Sequence, residues 1–444
     1  MIVLKFGGTS VGTAKSIQQV VDIITKIDEP KIVVLSAVSG TTNSLLEISK
    51  LIHNNEKDKA SFCLNQLHNS YKNLIERLYN TSEFKNKAKA FVSSKFNGIA
   101  TLIKNDDRCN IDNIIVAQGE ILSTNLVQLY LEESQVRSSL ISALDFMEID
   151  QNNEPKIESI ADKLFLLPSI NQNIWITQGF ICRNESGEIA NLQRGGSDYT
   201  ASLIGAAINA KEIQIWTDID GMHNNDPRYV DNTFSLEEIS FDEAAELAYF
   251  GAKILHPQSL IPAKENNIPV LLKNTFNPSS KGTIIKNNSI KNGVTAIAAK
   301  DGITAIKIKS YRMLLAYGFL KKVFEVFEKY QTPIDMITTS EIAVSLTIDD
   351  ATNLEKIITE LTPFGKIEID SNLSIICVAG DFSQNKEGIS ANVFNSLREI
   401  PIRMISYGGS NYNTSLLVKS TDKIDALNSL NNGLFKEQLA LLEY

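Results

Sequence analysis

Ile2-Val3-Leu4-Lys5-Phe6-Gly7-Gly8-Thr9-Ser10-Val11-Gly12 opens the chain. An apolar, β-prone run empties into a glycine pair and two hydroxyl residues, which predicts a buried strand, a tight turn and a helix from about Ala14. Glycine lacks a Cβ, so the amides of Gly7 and Gly8 can approach an anion, and a helix N-terminus adds unpaired donors. A plain strand-turn-helix has the same pattern. Lys5 separates the two readings, because a lysine within an apolar strand needs a counter-charge, and a transferable phosphate supplies one.

Working outward, Lys31-Ile32-Val33-Val34-Leu35-Ser36 is a second buried strand, followed by the small and hydroxyl residues Ala37 to Asn43 and a helix from Ser44 to about Ile52. This repetition predicts a mainly parallel α/β sheet with ligands at the C-terminal strand ends. Residues 57–107 are helical and polar, a flank or lid. Glu120 then stands at a helix entry, either as a carboxylate favoured in a first turn or as the partner of a substrate ammonium. Strands recur at Val136–Ser142 and Ile174–Thr177, and Asn184-Glu185-Ser186-Gly187 is a hairpin turn. A second glycine pair, Arg194-Gly195-Gly196-Ser197-Asp198, opens an alanine-rich helix. Arg194 offers a fork of donors for a carboxylate, and Asp198 is either an N-cap or a catalytic organiser. Ile213–Asp218 is a strand ending in an Asp-rich turn, and Phe250-Gly251-Ala252-Lys253 sets another lysine beside a glycine. Two lysines from distant segments and two glycine loops point to a site converging on phosphates.

The 444 residues exceed one ordinary core, so two or three domains are expected. Composition is that of a globular protein, 43% hydrophobic and 21% charged, with net charge -9 and no lysine-arginine block. That argues against a nucleic-acid or anionic-membrane partner. The first strand starts at once, leaving no room for a signal peptide, and no apolar run spans a bilayer by this reading, so a cytoplasmic location is expected. Cys63, Cys109, Cys182 and Cys377 form no C-x-x-C pair, which argues against structural zinc and a disulfide framework.

Beyond the polar stretch Asn287–Gly293 the chain repeats itself. Strand, helix, strand, strand over Ile303–Thr347 returns over Leu373–Val418, and Ile334-Asp335-Met336-Ile337-Thr338 matches Ile402-Arg403-Met404-Ile405-Ser406 at three of five positions. An internal duplication of a small βαββαβ unit follows.

Lys5-Phe6-Gly7-Gly8-Thr9-Ser10, Arg194-Gly195-Gly196-Ser197-Asp198, Trp216-Thr217-Asp218 and Phe250-Gly251-Ala252-Lys253, in this order, resemble the signature set of the aspartate kinases, and most nearly the lysine-sensitive, single-function class. The resemblance covers essentially the whole chain. It implies an α/β amino-acid-kinase domain at 1–285, a mainly parallel sheet between helical layers, and a linker at 286–301. Two ferredoxin-like ACT units follow, the first at 302–370 completed by 423–444, the second inserted at 371–422. It implies transfer of the γ-phosphoryl group of ATP, with Mg²⁺, to the β-carboxylate of L-aspartate. Lys5 and Asp198 would be catalytic, with Lys5, Gly7, Gly8, Thr217, Asp218, His223, Arg228, Lys253 and Ile254 on the nucleotide. Ser36, Thr42, Glu120, Arg194, Gly195, Gly196 and Ser197 would hold the substrate. His223 departs from the pattern, since close relatives carry tyrosine there. Met313, Phe319, Leu320, Asp335, Ser340 and Glu341 would bind an allosteric amino acid, L-lysine before L-threonine, at an interface of a homodimer or dimer of dimers. Only the first copy should accept an ammonium at this position, because the second has Arg403.

Two other readings share part of this evidence. A sibling kinase acting on glutamate, N-acetylglutamate or UMP would share Lys5 and the glycine loops but not the Phe250–Lys253 run or paired ACT units. An inactive amino-acid sensor would not need Lys5, Arg194, Asp198 and Lys253 together.

Overall fold

The computed structural model of the chain describes residues 1–105, 108–166, 173–192, 195–251, 255–287, 293–313, 317–382 and 388–440. Contacts divide it into two units, Met1–Met222 with Leu255–Asn288, and His223–Ile254 with Ser289–Tyr444. The strands up to residue 286 are β1 Ile2–Phe6, β2 Lys31–Leu35, β3 Ser139–Leu140, β4 Ile174–Gln178, β5 Ile181–Arg183, β6 Ile189–Asn191, β7 Ile213–Thr217, β8 Glu238–Ser240, β9 Val270–Asn274 and β10 Thr283–Lys286. Of these, β8 belongs to the second unit.

In the first unit β1 lies at the centre, paired in parallel with β2 and β7, within the order β3-β4-β2-β1-β7-β9-β10. Only β10 runs antiparallel to its neighbour β9. All five residues of β1 are buried, as expected for a parallel strand covered on both faces. The helix after the first turn runs from Ala14 to Lys26 and starts in a capping box between Thr13 and Ser16. It buries Ile17, Val20, Val21 and Ile24 against Ile2, Leu4 and Phe6. Residues 57–107, read as a polar flank or lid, instead supply two long helices, Lys57–Leu78 and Ser82–Lys104, to the same core. Leu64, Tyr71, Ile75 and Phe96 form their buried stripe, which the abundance of lysine and asparagine on the outer face had masked. The predicted hairpin is present as β5 and β6.

Among the described residues one helical stretch, Ile111–Glu133, is long and apolar enough to cross a membrane, contrary to the expectation that no such run exists. With 67% of its most apolar window buried and Leu122, Leu126 and Leu131 in the core, it packs as a core helix.

The second unit carries β11 Gly293–Lys309, β12 Ile337–Ser340, β13 Ala343–Ile348, β14 Lys366–Asp381, β15 Met404–Tyr407 and β16 Asn413–Lys419. Their order, β12-β13-β11-β14-β16-β15, is symmetric about the long antiparallel pair β11–β14, the structural form of the repeat seen in the sequence. Helices Phe319–Lys329 and Leu354–Leu361 cover one half, burying Val323, Phe327, Ile357 and Leu361. Helices Ile389–Ser396 and Lys423–Leu434 cover the other, burying Val393, Leu397, Leu427 and Leu430.

Two boundaries differ from expectation. Residues 293–301, assigned to a linker, are strand, since Ala296–Lys300 pair along β14. The segment from Lys423, expected to complete the first copy, packs in the second on Ile376 and Val378, because Leu354–Leu361 already fills the corresponding face of the first.

Candidate active site

The loops after β1, β2 and β7 meet at the C-terminal edge of the first unit's sheet around a cavity of ≈ 510 Å³. Of the residues singled out in the sequence, Gly7, Gly8, Ser36, Thr42, Glu120, Gly196, Ser197, Thr217 and Asp218 line it. Lys5, at the end of β1, is 9% exposed and reaches Asp198 with Nζ 2.7 Å from Oδ1. Asp198 is therefore not the N-cap of its helix. That place belongs to Gly195, whose φ of 73° is a left-handed conformation natural to glycine. A Cβ on Gly195 would also stand 2.9 Å from that of Ser259.

The two amides expected to face an anion are not equivalent. Gly7 N–H is donated to the Trp216 carbonyl across the β1–β7 pair, 3.2 Å, so an anion approaching the turn meets the Gly8 amide. A Cβ on Gly8 would lie 3.1 Å from the Ala37 carbonyl, which keeps the two strand-end loops in close apposition. Ser36 Oγ donates to Ser197 Oγ at 2.9 Å, tying the β2 loop to the glycine-pair helix.

Glu120 is the third residue of the helix Gln118–Glu133 and 3% exposed. Its Oε1 accepts the Ala37 N–H at 3.3 Å, and its Oε2 is buried with no hydrogen-bond partner among the described residues. Gly119 permits this approach, since a Cβ there would fall 2.9 Å from that of Ala37. Burial pushes the Glu120 carboxyl up to about 7 against the pull of its backbone hydrogen bonds.

Phe180 also lines the cavity and was not anticipated. It holds φ at 68°, strained for a bulky residue. Its N–H is held by Thr200 Oγ1 at 2.8 Å. The signal available in the sequence was Gly179, where any Cβ would collide with Ser197 at 2.3 Å.

Arg194, Lys253 and Ile254 lie outside the described residues. His223 and Arg228 belong to the second unit and are absent from the cavity lining. His223 Nδ1 is 3.1 Å from Thr233 Oγ1, and Arg228 grips Asp226 with Nε 2.9 and 3.1 Å from its two oxygens. Of the expected effector residues, Asp335 is engaged by Lys300 at 2.8 Å, while Phe319 packs edge-on against Phe364. Met313 and Phe319 lean on the core of the first half. Leu320 is the second residue of the helix Phe319–Lys329, and Ser340 and Glu341 sit exposed at the turn between β12 and β13.

The sequence pattern of the amino acid kinase family matches residues 1–274 and that of the ACT domain residues 376–434. The fold and site thus define an amino acid kinase fused to ACT regulatory units. The lysine-sensitive aspartokinase 3 of Escherichia coli is 32% identical over 453 residues, covering 98% of this chain and 99% of that protein. A solved structure of E. coli aspartokinase III with lysine and aspartate, described as a T-state, superposes with a TM-score of 0.83 at 32% identity over 98% of this chain and 99% of that one. Another, with aspartate and ADP and described as an R-state, gives the same TM-score and identity over 98% of this chain and 100% of that one. The chain belongs to the aspartokinase family, and it is an enzyme of the kinase class.

Proposed function

We propose that the chain transfers the γ-phosphoryl group of ATP to the β-carboxylate of L-aspartate, giving 4-phospho-L-aspartate, the first step of lysine, threonine, methionine and diaminopimelate biosynthesis. L-lysine inhibits it through the ACT units. On this reading residues 1–285 carry the catalytic part, the chain from 293 onward the regulatory part, and chains associate as a homodimer or dimer of dimers. The observation that carries the proposal is the Lys5–Asp198 pair, whose chain neighbours Gly7 and Ser197 line a cavity that Glu120 also lines, its Oε2 without a hydrogen-bond partner among the described residues.

A carboxylate nucleophile with an ordinary pKa of about 3.9 is ionised at neutral pH, so the reaction needs no general base. It needs two anions neutralised and aligned. Lys5 supplies a cation at the phosphates, held in place by Asp198, and the Gly8 amide donates to a phosphate oxygen. Glu120 Oε2 accepts from the aspartate ammonium, and Arg194 grips its α-carboxylate, with Ser36, Thr42, Gly195, Gly196 and Ser197 around it. Thr217, Asp218, His223, Arg228, Lys253 and Ile254 bind the nucleotide. Mg²⁺ bound with ATP supplies further neutralisation of phosphate charge. Of the carboxylates lining the cavity, Asp218 is exposed and would reach such an ion, whereas Glu120 is buried.

The test is trapping by hydroxylamine in the presence of ATP and Mg²⁺. Hydroxamate is expected with L-aspartate and not with glutamate or N-acetylglutamate, suppressed by L-lysine and not by L-threonine. Product with glutamate alone would return the chain to the sibling kinases, and product indifferent to lysine would remove the regulatory reading.

A further inference from the structure

Gly179 and Phe180 alone join β4 to β5, and all four of their backbone polar groups are engaged. Gly179 N–H is donated to the Leu35 carbonyl at 2.9 Å, and the Gly179 carbonyl accepts the Ile181 N–H at 2.7 Å. That bond across a φ of 68° at Phe180 makes a γ-turn of the rare, strained, positive-φ form. The Phe180 carbonyl accepts the Leu192 N–H at 2.7 Å, and Thr200 Oγ1 takes the Phe180 N–H. Thr200 is fully buried, and its hydroxyl donates in turn to the Gly196 carbonyl at 3.4 Å. One hydroxyl therefore ties the strained turn to the start of the glycine-pair helix.

A bulky residue persists at positive φ only where its surroundings over-determine it, and such residues gather at functional sites. Phe180 packs on the apolar core of the first unit and lines the cavity. Its ring stands against the glycine pair, since a Cβ on Gly196 would reach Cδ2 at 3.7 Å. Gly196 and Ser197 are residues proposed above to surround the acceptor. With its backbone tied on both sides and the core behind it, the ring is a wall that cannot recede.

We infer that Thr200 is a positioning residue that holds Phe180 in this turn and so fixes the ring as the wall limiting acceptor length, admitting aspartate and turning away a dicarboxylic amino acid one methylene longer. The inference rests on the proposed transfer to aspartate, with Gly196 and Ser197 on the acceptor side. Thr200 is absent from the cavity lining and acts through Phe180. Without the hydroxyl, the Phe180 N–H loses its acceptor and the residue relaxes toward negative φ, carrying the ring with it. The space so opened takes one more methylene, a difference that an apolar pocket grades by about 10–200-fold.

The full chain as wild type, Thr200→Val and Thr200→Ser is assayed by hydroxylamine trapping with ATP and Mg²⁺, on L-aspartate and L-glutamate side by side. With glutamate, a γ-carboxylate oxygen would bond to the γ-phosphorus of ATP as ADP leaves, and the glutamyl phosphate would be trapped as its hydroxamate. Thr200→Val is expected to yield glutamyl hydroxamate, with the aspartate-to-glutamate ratio of kcat/KM about tenfold or more below wild type and KM for ATP within about threefold. Thr200→Ser, which keeps the hydroxyl, is expected to keep the wild-type ratio. No glutamyl product from Thr200→Val, an equal loss on both acceptors, or a serine variant as permissive as valine overturns the inference and leaves the aspartate reading standing. A wild-type chain that makes no aspartyl hydroxamate overturns that reading, and the inference with it. Should Thr200→Val not fold, Phe180→Gly adopts the same φ without strain and lacks the ring; the same fall in the ratio is expected, and an unchanged ratio overturns the inference.

Discussion

Replacing Lys5 with methionine is expected to lower kcat by about 10³-fold while KM for L-aspartate moves only a few-fold. The ammonium lies at the end of a strand buried along its whole length, where water cannot take over its role at the phosphates. The side chains of Lys5 and Asp198 are 11% and 15% exposed, so the variant also leaves a carboxylate nearly dry and without its cation, which costs about 3–5 kcal/mol at a fully buried pair. Stability and catalysis are separable here. Lys5→Met combined with Asp198→Asn should recover much of the lost thermal stability and none of the activity. Steady-state kinetics and thermal denaturation of the two variants check this, and recovered activity in the double variant would show that Lys5 serves only to neutralise Asp198.

The second large effect is expected at Glu120. Its glutamine variant should raise KM for L-aspartate about 100-fold with a smaller change in kcat, because a desolvated carboxylate facing a substrate ammonium acts mainly in binding. The pH dependence identifies the group. With a pKa of about 7 raised by burial, the carboxylate form gains population as pH rises through 7, so KM for aspartate should fall from pH 6 to pH 8, and glutamine should flatten that slope. The stability dependence has the opposite sense. The native state binds the extra proton between the ordinary glutamate pKa of about 4.3 and the raised value, so this group's contribution to stability declines as pH rises across that window. A KM profile of the variant that still falls with pH would assign the titration to another group.

Parts of this architecture were legible in the residues because the causes are local. The glycine pair after an apolar strand, the repeat of that pattern after β2, and Gly195-Gly196 before a helix each announce a loop whose backbone must come close to something. The ring of cavity residues follows from those local rules. Pairings between distant segments were not legible. The sequence leaves Glu120 between a helix cap and an ammonium partner, because nothing in its neighbourhood shows that the Ala37 N–H donates to one of its oxygens. Gly7 and Gly8 look alike in sequence, and only the pairing of β1 with β7 uses up the Gly7 amide. Asp335 stood out from Arg403 by comparison of the two repeats, whereas Lys300, Tyr249 and Asp349 converge on it from segments with no shared motif. The resemblance implies that the helix from Lys423 completes the first half, whereas it packs in the second; the helix's own amphipathic stripe states that a face must be covered, not which sheet covers it.

The claim on which the rest depends is that the β-carboxylate of aspartate is the atom group that attacks phosphorus. Aspartate labelled with ¹⁸O in both β-carboxylate oxygens tests it directly. Hydroxylamine attacks the carbonyl carbon of an acyl phosphate and releases phosphate that keeps the bridging oxygen. Mass spectrometry of the phosphate from a hydroxylamine-quenched turnover is therefore predicted to find one ¹⁸O atom in each ion released. Unlabelled phosphate, with ADP formed at the same rate, would mean that water or another group of the substrate attacks instead, and would contradict the account.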